Sequence, residues 1–475
     1  PHNGRTTSWG PDMNLPLFLT AYDPTDLPGT SIDPLGFGVG YGALAEALLP
    51  GLTGAAAEPA YFPVLCAGIL WADEAGAASK SRIERKRFRQ EVAMRLERAW
   101  GLAVTLYARS LADGHADVGE EPEPGGILLR GVTYFQRECE RLGRTQLAGT
   151  RFKVLARQAP YGMLGIYANI TARLGLIDTD DYALTSALGV PVAEAFIEQT
   201  LPGAARQEIK RLAVDPTATV SRDLLRQWGR RCHDPRGWPQ RAANSLRAGL
   251  LRDPQRASCL RLVLALRNRF GQLSNELELL TEALRLAQND GGLPLRSAEK
   301  ARLTHLLEAS VAFEESYRRL MVVFERLLWL ARDQNRQTGP ASIASDDVLA
   351  CCQDSIQAVG ERLHRAQQGL RDFGLHEEAH QLDDAVRFVD QARIVRNVDG
   401  MVGVVLERHC KVQQSKVDRG RRKLPWVELR QGLLTLTSLT NSGQRGVVTK
   451  PEQIPLHAWR LYPALNYLGA IGGEL

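Results

Sequence analysis

No stretch of the 475-residue chain stays apolar for the ~20 residues that a bilayer-spanning helix needs. The longest candidates, 61–71 and 401–406, are far too short, and no secretory leader is recognisable. A cytoplasmic protein without membrane contact is expected. There is no Cys-x-x-Cys. The seven cysteines (Cys66, Cys139, Cys232, Cys259, Cys351, Cys352, Cys410) are odd in number and scattered. That pattern argues against a disulfide framework or a cysteine zinc site, and for packed thiols in a reducing compartment. Also missing are a Walker A loop, an H-N-H set and a P-D…E-x-K carboxylate set. The reading leans to a non-enzyme and requires no cofactor and no metal.

Lysine is scarce as well. Only nine of the 59 cations are Lys, which leaves 50 Arg against 54 acids and a net charge of +5. Arginine makes bidentate contacts with phosphate and carboxylate, although a GC-rich genome would raise Arg and Ala without any ligand. The apolar fraction of 44% is ordinary for packed domains, and a chain of this length carries more than one core.

The fold class expected is mainly α and multi-domain, with an embedded winged helix, a long helical hairpin and a small C-terminal β-hairpin. Five segments follow along the chain. Residues 1–125 are a Gly/Pro-rich arm and a helical domain, where Gly36, Gly38, Gly40 and Gly42 alternate without the G-K-[ST] of a phosphate loop. Residues 126–200 are winged-helix-like, 201–296 an Arg-rich helical domain, 297–395 a helical hairpin or coiled coil, and 396–475 a basic loop with a β-hairpin.

Within these segments, 82–100 is amphipathic, with Ile83, Phe88, Val92, Leu96 and Ala99 on the apolar side. Its start concentrates Arg82, Arg85, Lys86, Arg87 and Arg89, against the helix dipole, which invites an anion; the alternative is a solvated basic face. Further on, Arg222, Arg226, Arg230 and Arg231 read as outward-facing, and Arg252, Arg256, Arg261, Arg267 and Arg269 continue the positive theme, either to line a groove for nucleic-acid phosphates or to keep helices soluble. In 297–388, Leu303, Leu306, Ser310, Phe313, Tyr317, Leu320, Phe324, Leu327 and Ala331 recur at three- and four-residue steps. So do Leu349, Cys352, Ile356, Val359, Leu363, Ala366, Leu370 and Phe373. That is the seam of two antiparallel helices. Residues 402–406 read as a strand or short helix. Segments 426–429 and 433–436, joined through Gln431-Gly432, read as a hairpin.

In 151–198, Phe152, Leu155 and Ala156 sit at helical spacing before Pro160, and Leu164, Tyr167, Ala168 and Leu174 mark a second helix. Gly175-Leu176-Ile177 closes it, Asp178 to Asp181 is a polar turn, and Tyr182-Ala183-Leu184-Thr185 returns as a strand before a helix at Pro191. This order resembles a winged helix, as in many prokaryotic regulators. The resemblance implies DNA reading or protein docking. The second helix carries only Arg173 as a cation, and the wing turn is acidic where a DNA-binding wing is usually basic.

Three motifs carry possible chemistry. His376-Glu377-Glu378-Ala379-His380 fits the H-E-x-x-H of zinc hydrolases, but on the solvated side of a bundle helix and without a third ligand. His409-Cys410-Lys411 fits the H-x-K of phospholipase D-type nucleases without the Asp that pattern wants. The densest basic run is 408–426: Arg408, Lys411, Lys416, Arg419, Arg421, Arg422 and Lys423, then Trp426, with Gln413 and Gln414 as amide contacts. Cations beside an aromatic ring can neutralise phosphates and stack on a base.

The expectation is a non-enzymatic, DNA-associated subunit of a prokaryotic multi-protein system, with other subunits as partners and a possible oligomer through the helical hairpin. By architectural analogy it is set beside kleisin-like subunits of chromosome-organising or plasmid-restricting complexes and beside phage-defence proteins. The alternatives are a scaffold without DNA contact and, remotely, a zinc hydrolase using His376 and His380.

Overall fold

Two helices, each buried on more than one side, organise the computed structural model. It describes residues 33–112, 127, 129–145, 147–152, 154–155, 158–232, 238–270, 275–289, 293–333, 337–418, 421–437, 447–473 and 475. The architecture is mainly helical, with small antiparallel strand pairs. Two compact units result, one from 1–48 with 269–461, the other from 49–268 with 462–475. Each joins segments distant in sequence, so neither coincides with a single part of the five-part linear division.

The first unit is built on Ser297–Asp333. Every seam residue expected on it, from Leu303 to Ala331, is buried. So are Leu307, Ala309, Met321, Val322, Val323 and Leu328 on its other sides. Asp347–Asp372 packs along one side, while Glu276–Asn289, Gly38–Leu48, Val398–Ser415 and the small sheet pack on the same long helix. An isolated two-helix coiled coil would leave those sides in water; here the helix pair lies inside a core. Asp346 starts the second helix by accepting from the Val348 and Leu349 N–H groups, and it pairs with Arg326 at 2.7 Å. The seam slips at its far end. Gln367 is buried rather than Ala366, and its amide donates to the Ala379 carbonyl and to Asp383. Phe373, expected inside, is 37% exposed.

Residues 402–406 lie within the helix Val398–Ser415, which Asn397 caps through the Gly400 N–H. Strands Val427–Arg430 and Leu433–Leu436 pair antiparallel. Gln431 and Gly432 between them have φ of 50° and 78°, the left-handed geometry of a tight hairpin turn. Gln337–Thr338 pairs with the other side of 433–436, so 427–430 is an edge strand. A separate ribbon joins Val417–Asp418 to Arg421–Arg422. The segment after 447 is tied down by Glu314. This fully buried carboxylate accepts from His457 N, His457 Nδ1 and Trp459 Nε1 at 2.8–3.2 Å.

The second unit is built on Arg82–Ala112, longer than the amphipathic stretch read from sequence. Its apolar side contains Val92, Leu96 and Ala99 as expected. Ile83, however, is 83% exposed, and Arg89 is buried in the same turns. Tyr61–Glu74, Arg222–Cys232, Ala204–Val214 and Val132–Thr145 surround it. Glycine allows the closest of these approaches. A Cβ on Gly229 would lie 2.0 Å from the Ala103 carbonyl oxygen, and one on Gly68 would lie 2.6 Å from Ala93 Cα.

In the stretch 151–200, Phe152 and Leu155 lie outside any helix, and Pro160 sits inside the short helix Gln158–Tyr161. Met163–Arg173 follows, and Gly175 at φ 76° turns the chain out of it. The expected returning strand is a single bridge, Ile177 to Leu184, before Gly189–Thr200. Among the described residues no helix is long and apolar enough to cross a membrane.

Gly229→Ala is expected to destabilise the protein by about 3 kcal/mol, because the added methyl meets backbone. Gly403→Ala, in a helix with open space at the Cβ position, is expected to be neutral or to stabilise by up to ~1 kcal/mol. Urea unfolding of both variants checks the contrast.

Candidate nucleic-acid interface

The two basic clusters belong to different units, and each has its own set of counter-charges. At the start of helix 82–112, Ser81 and Glu84 form a reciprocal cap. The Ser81 hydroxyl and N–H hold the Glu84 carboxyl below its ordinary range. The anion that the basic start invites comes from the acidic turn at 178–182. Arg82 pairs with Asp180 at 2.5 Å. Arg85 reaches Asp181 at 3.4 Å and the carbonyls of Ala78 and Lys80. The buried Arg89 joins Asp181 at 2.9 Å to Asp73 at 2.8 Å. Lys86 donates to the Thr179 carbonyl and lies 4.6 Å over the Tyr182 ring. Arg87 pairs with Glu91 one turn along, at 3.0 Å. Burial pushes the Asp181 carboxyl up, but the Ala183 N–H and the Arg89 and Arg85 guanidinium groups outweigh it and hold the carboxyl low. The acidic turn at 178–182 and the basic helix start therefore neutralise each other.

The run 408–426 does not form one loop. Arg408 lies in helix 398–415 and is 8% exposed. Its Nε donates to the Leu35 carbonyl at 2.7 Å, and Nη2 donates to the Gly36 carbonyl and pairs with Asp384 at 2.6 Å. The Arg408 hydrogen bond holds the Asp384 carboxyl below its ordinary range. Lys416 donates to the Asp33 carbonyl at 2.7 Å, and burial lowers its pKa. His409 is fully buried between the Pro34 carbonyl, 3.0 Å from Nδ1, and the Trp426 N–H, which donates to Nε2 at 2.8 Å. Burial pushes this imidazole down to about 4. It is neutral with its proton on Nδ1, and serves as a brace where the H-x-K reading would need a reactive group. Trp426 is half-buried against the Phe324 and His409 rings. Gln413 is buried and Gln414 exposed, so only the second remains as an amide contact. Lys411 and Arg422 are exposed and Lys423 half-buried, none of them in an ion pair among the described residues. Arg421 pairs its backbone with Asp418 in the ribbon; Arg419 lies outside the described residues.

The residues missed from sequence are the acceptors. Residues 33–36 lie in the Gly/Pro-rich arm, yet they present carbonyls to Arg408, His409 and Lys416. The Asp33 carboxylate meanwhile accepts from the Phe37 and Gly38 N–H groups ahead of helix 38–48. Other arginines bind carbonyls in the same way. Arg256, one of the spread arginines expected to line a groove or solubilise a helix, is 2% exposed and donates to Leu250, Pro50 and Gly249 at 2.7–2.8 Å. Arg130 holds Tyr161 and Ala55, and Arg95 holds Ala213 and Val214.

At the H-E-x-x-H stretch, His376 and His380 are exposed on the six-residue helix His376–Gln381. His380 contacts Asp383 at 2.9 Å and Glu378 pairs with Arg302 at 3.1 Å. No group of three His, Cys, Asp or Glu side chains arranged to hold a metal occurs among the described residues. All seven cysteines are free thiols. No known family, curated protein or solved structure matches the chain.

Asp181→Asn is expected to cost about 2 kcal/mol, since it removes one of the two carboxylates that hold the buried Arg89 guanidinium while Asp73 remains; thermal and urea unfolding read it. His409 gives a second expectation. Its folded pKa, about 4, lies below the ordinary value of about 6.5, so between these values the unfolded chain holds more protons. The contribution is complete above pH ~6.5 and is lost as pH falls towards ~4, by up to about 3 kcal/mol. Urea titrations at pH 7 and 4.5 should show a smaller acid loss for His409→Gln than for the wild type.

Proposed function

We propose that this chain is a non-enzymatic helical scaffold, a subunit that holds partners in place within a larger prokaryotic assembly. One observation carries the reading: the side chains best suited to grip phosphate are engaged with the chain's own carbonyls and carboxylates. Arg82, Arg85, Arg89, Arg256 and Arg408 each close an internal contact. In a scaffold, arginine content serves cohesion. The winged-helix-like order at 163–200 is then a docking element rather than a reader of DNA, because its turn is occupied by the start of helix 82–112. The helix pair 297–333 and 347–372 gives the first unit a rigid centre. Motor or nuclease activity would reside in other subunits, and the free thiols fit a reducing cytoplasm.

A second reading keeps DNA. It rests on Lys411, Arg422 and Lys423, cations without an ion pair among the described residues, with Gln414 exposed between them in sequence. A salt series of fluorescence anisotropy with duplex and single-stranded DNA separates the two. The scaffold reading expects no binding tighter than about 1 µM at ~150 mM salt, the tight end of the range of non-specific contacts. It also expects no change on replacing Lys411, Arg422 and Lys423 together with Ala. Tighter, steeply salt-dependent binding that the triple replacement abolishes would establish the DNA reading instead.

A further inference from the structure

The small sheet of the first unit ends in an open edge. Strand 427–430 has 433–436 on one side and no strand on the other among the described residues. The Thr437 N–H donates to the Trp426 carbonyl at 2.9 Å, and the two-residue turn closes on the Arg430–Leu433 pair. Orientation alternates along an antiparallel strand, so Glu428 and Arg430 turn their N–H and C=O groups to the neighbouring strand, while the Trp426 N–H, just before the strand, goes to His409. Val427 and Leu429 turn theirs away from that strand, and of the two only Leu429 is exposed. Side chains alternate too. Val427, buried, and Leu429, 44% exposed, share one face. Glu428 and Arg430 share the other and pair with each other.

Edges protected against pairing carry Lys, Pro or a bulge. This one carries one charge of each sign about a leucine. We infer that its partner is a second copy of the same edge, running antiparallel about a two-fold axis through Leu429. Alternation allows only outward-facing residues to meet outward-facing ones, so the axis must pass through a residue; of the four in the strand Val427 is fully buried, which leaves three centres. Centring on Glu428 sets two carboxylates opposite one another, and centring on Arg430 sets two guanidinium groups opposite; both are unfavourable. Centring on Leu429 places Glu428 of each copy opposite Arg430 of the other. These are non-hydrogen-bonded pairs, where side chains come closest. The same register puts Leu429 against Leu429 and lets each Leu429 N–H donate to the other's carbonyl. Two three-stranded sheets become one continuous sheet.

A strand of this length buries well under the ~1,000 Å² of a stable dimer, so the association is weak and grows with concentration. Sedimentation of the full chain from roughly 1 to 500 µM tests it. The wild type is expected to move from monomer towards dimer. Glu428→Arg and Arg430→Glu each set like charges opposite and should weaken association roughly tenfold or more. The combined swap E428R/R430E restores opposite pairing and should return to near wild-type association, which a misfolded variant could not do. A wild type monomeric throughout, singles that dimerise like the wild type, or a swap as weak as the singles would each overturn the inference.

Discussion

A guanidinium group removed from water must find acceptors for its fixed fan of donors, and that requirement shapes this protein. Arg408 is the plainest case. It sits inside a helix, 8% exposed, and is satisfied only because residues 35 and 36 bring two carbonyls to it and Asp384 brings a charge. Remove those carbonyls and a buried cation is left partly unpaired, at a cost larger than an ordinary hydrogen bond returns. His409 and Lys416 extend the same contact to Pro34 and Asp33. The segment 33–36 thus lies against helix 398–415 along its backbone, an attachment that depends little on which side chains the segment carries.

The second unit solves the same problem with carboxylates. Arg89 is buried, and Asp73 and Asp181 approach it from two elements distant in sequence. Asp181 can serve because its turn is acidic. That acidity is a departure from a DNA-binding wing, and the cationic start of helix 82–112 is an anomaly against the helix dipole. Each feature is unexplained by itself, and each is the other's counter-charge. Once paired, neither requires an outside ligand, which shifts the balance of the functional reading from polyanion to protein.

What was legible in the sequence follows from this distinction. The spacing from Leu303 to Ala331 marks buried positions correctly, because this helix is covered on several sides and an aliphatic side chain needs no specific acceptor to be buried. The hairpin at 427–436 is legible because Gln431-Gly432 can adopt the left-handed turn. Periodicity fails where charge is inside. It places Ile83 inward and gives no reason for Arg89 or Gln367 to be buried, since their acceptors come from other segments. It also hides the helix at 398–415. Gly403 and the valines around it weaken helical propensity, and the packing of this helix against its neighbours decides the matter.

The same reasoning bears on how the candidate interface should be weighed. Counting cations along a sequence overstates a binding surface whenever acceptors lie far off in the chain. Of the side chains placed in the interface, Arg82, Arg85, Lys86, Arg87, Arg408 and Lys416 each have a partner within the protein. Lys411, Arg422 and Lys423 lack an ion pair among the described residues. Cations this few neutralise few phosphates, and affinity for DNA rises with the number neutralised. A protein that used these alone would bind DNA weakly and without sequence preference.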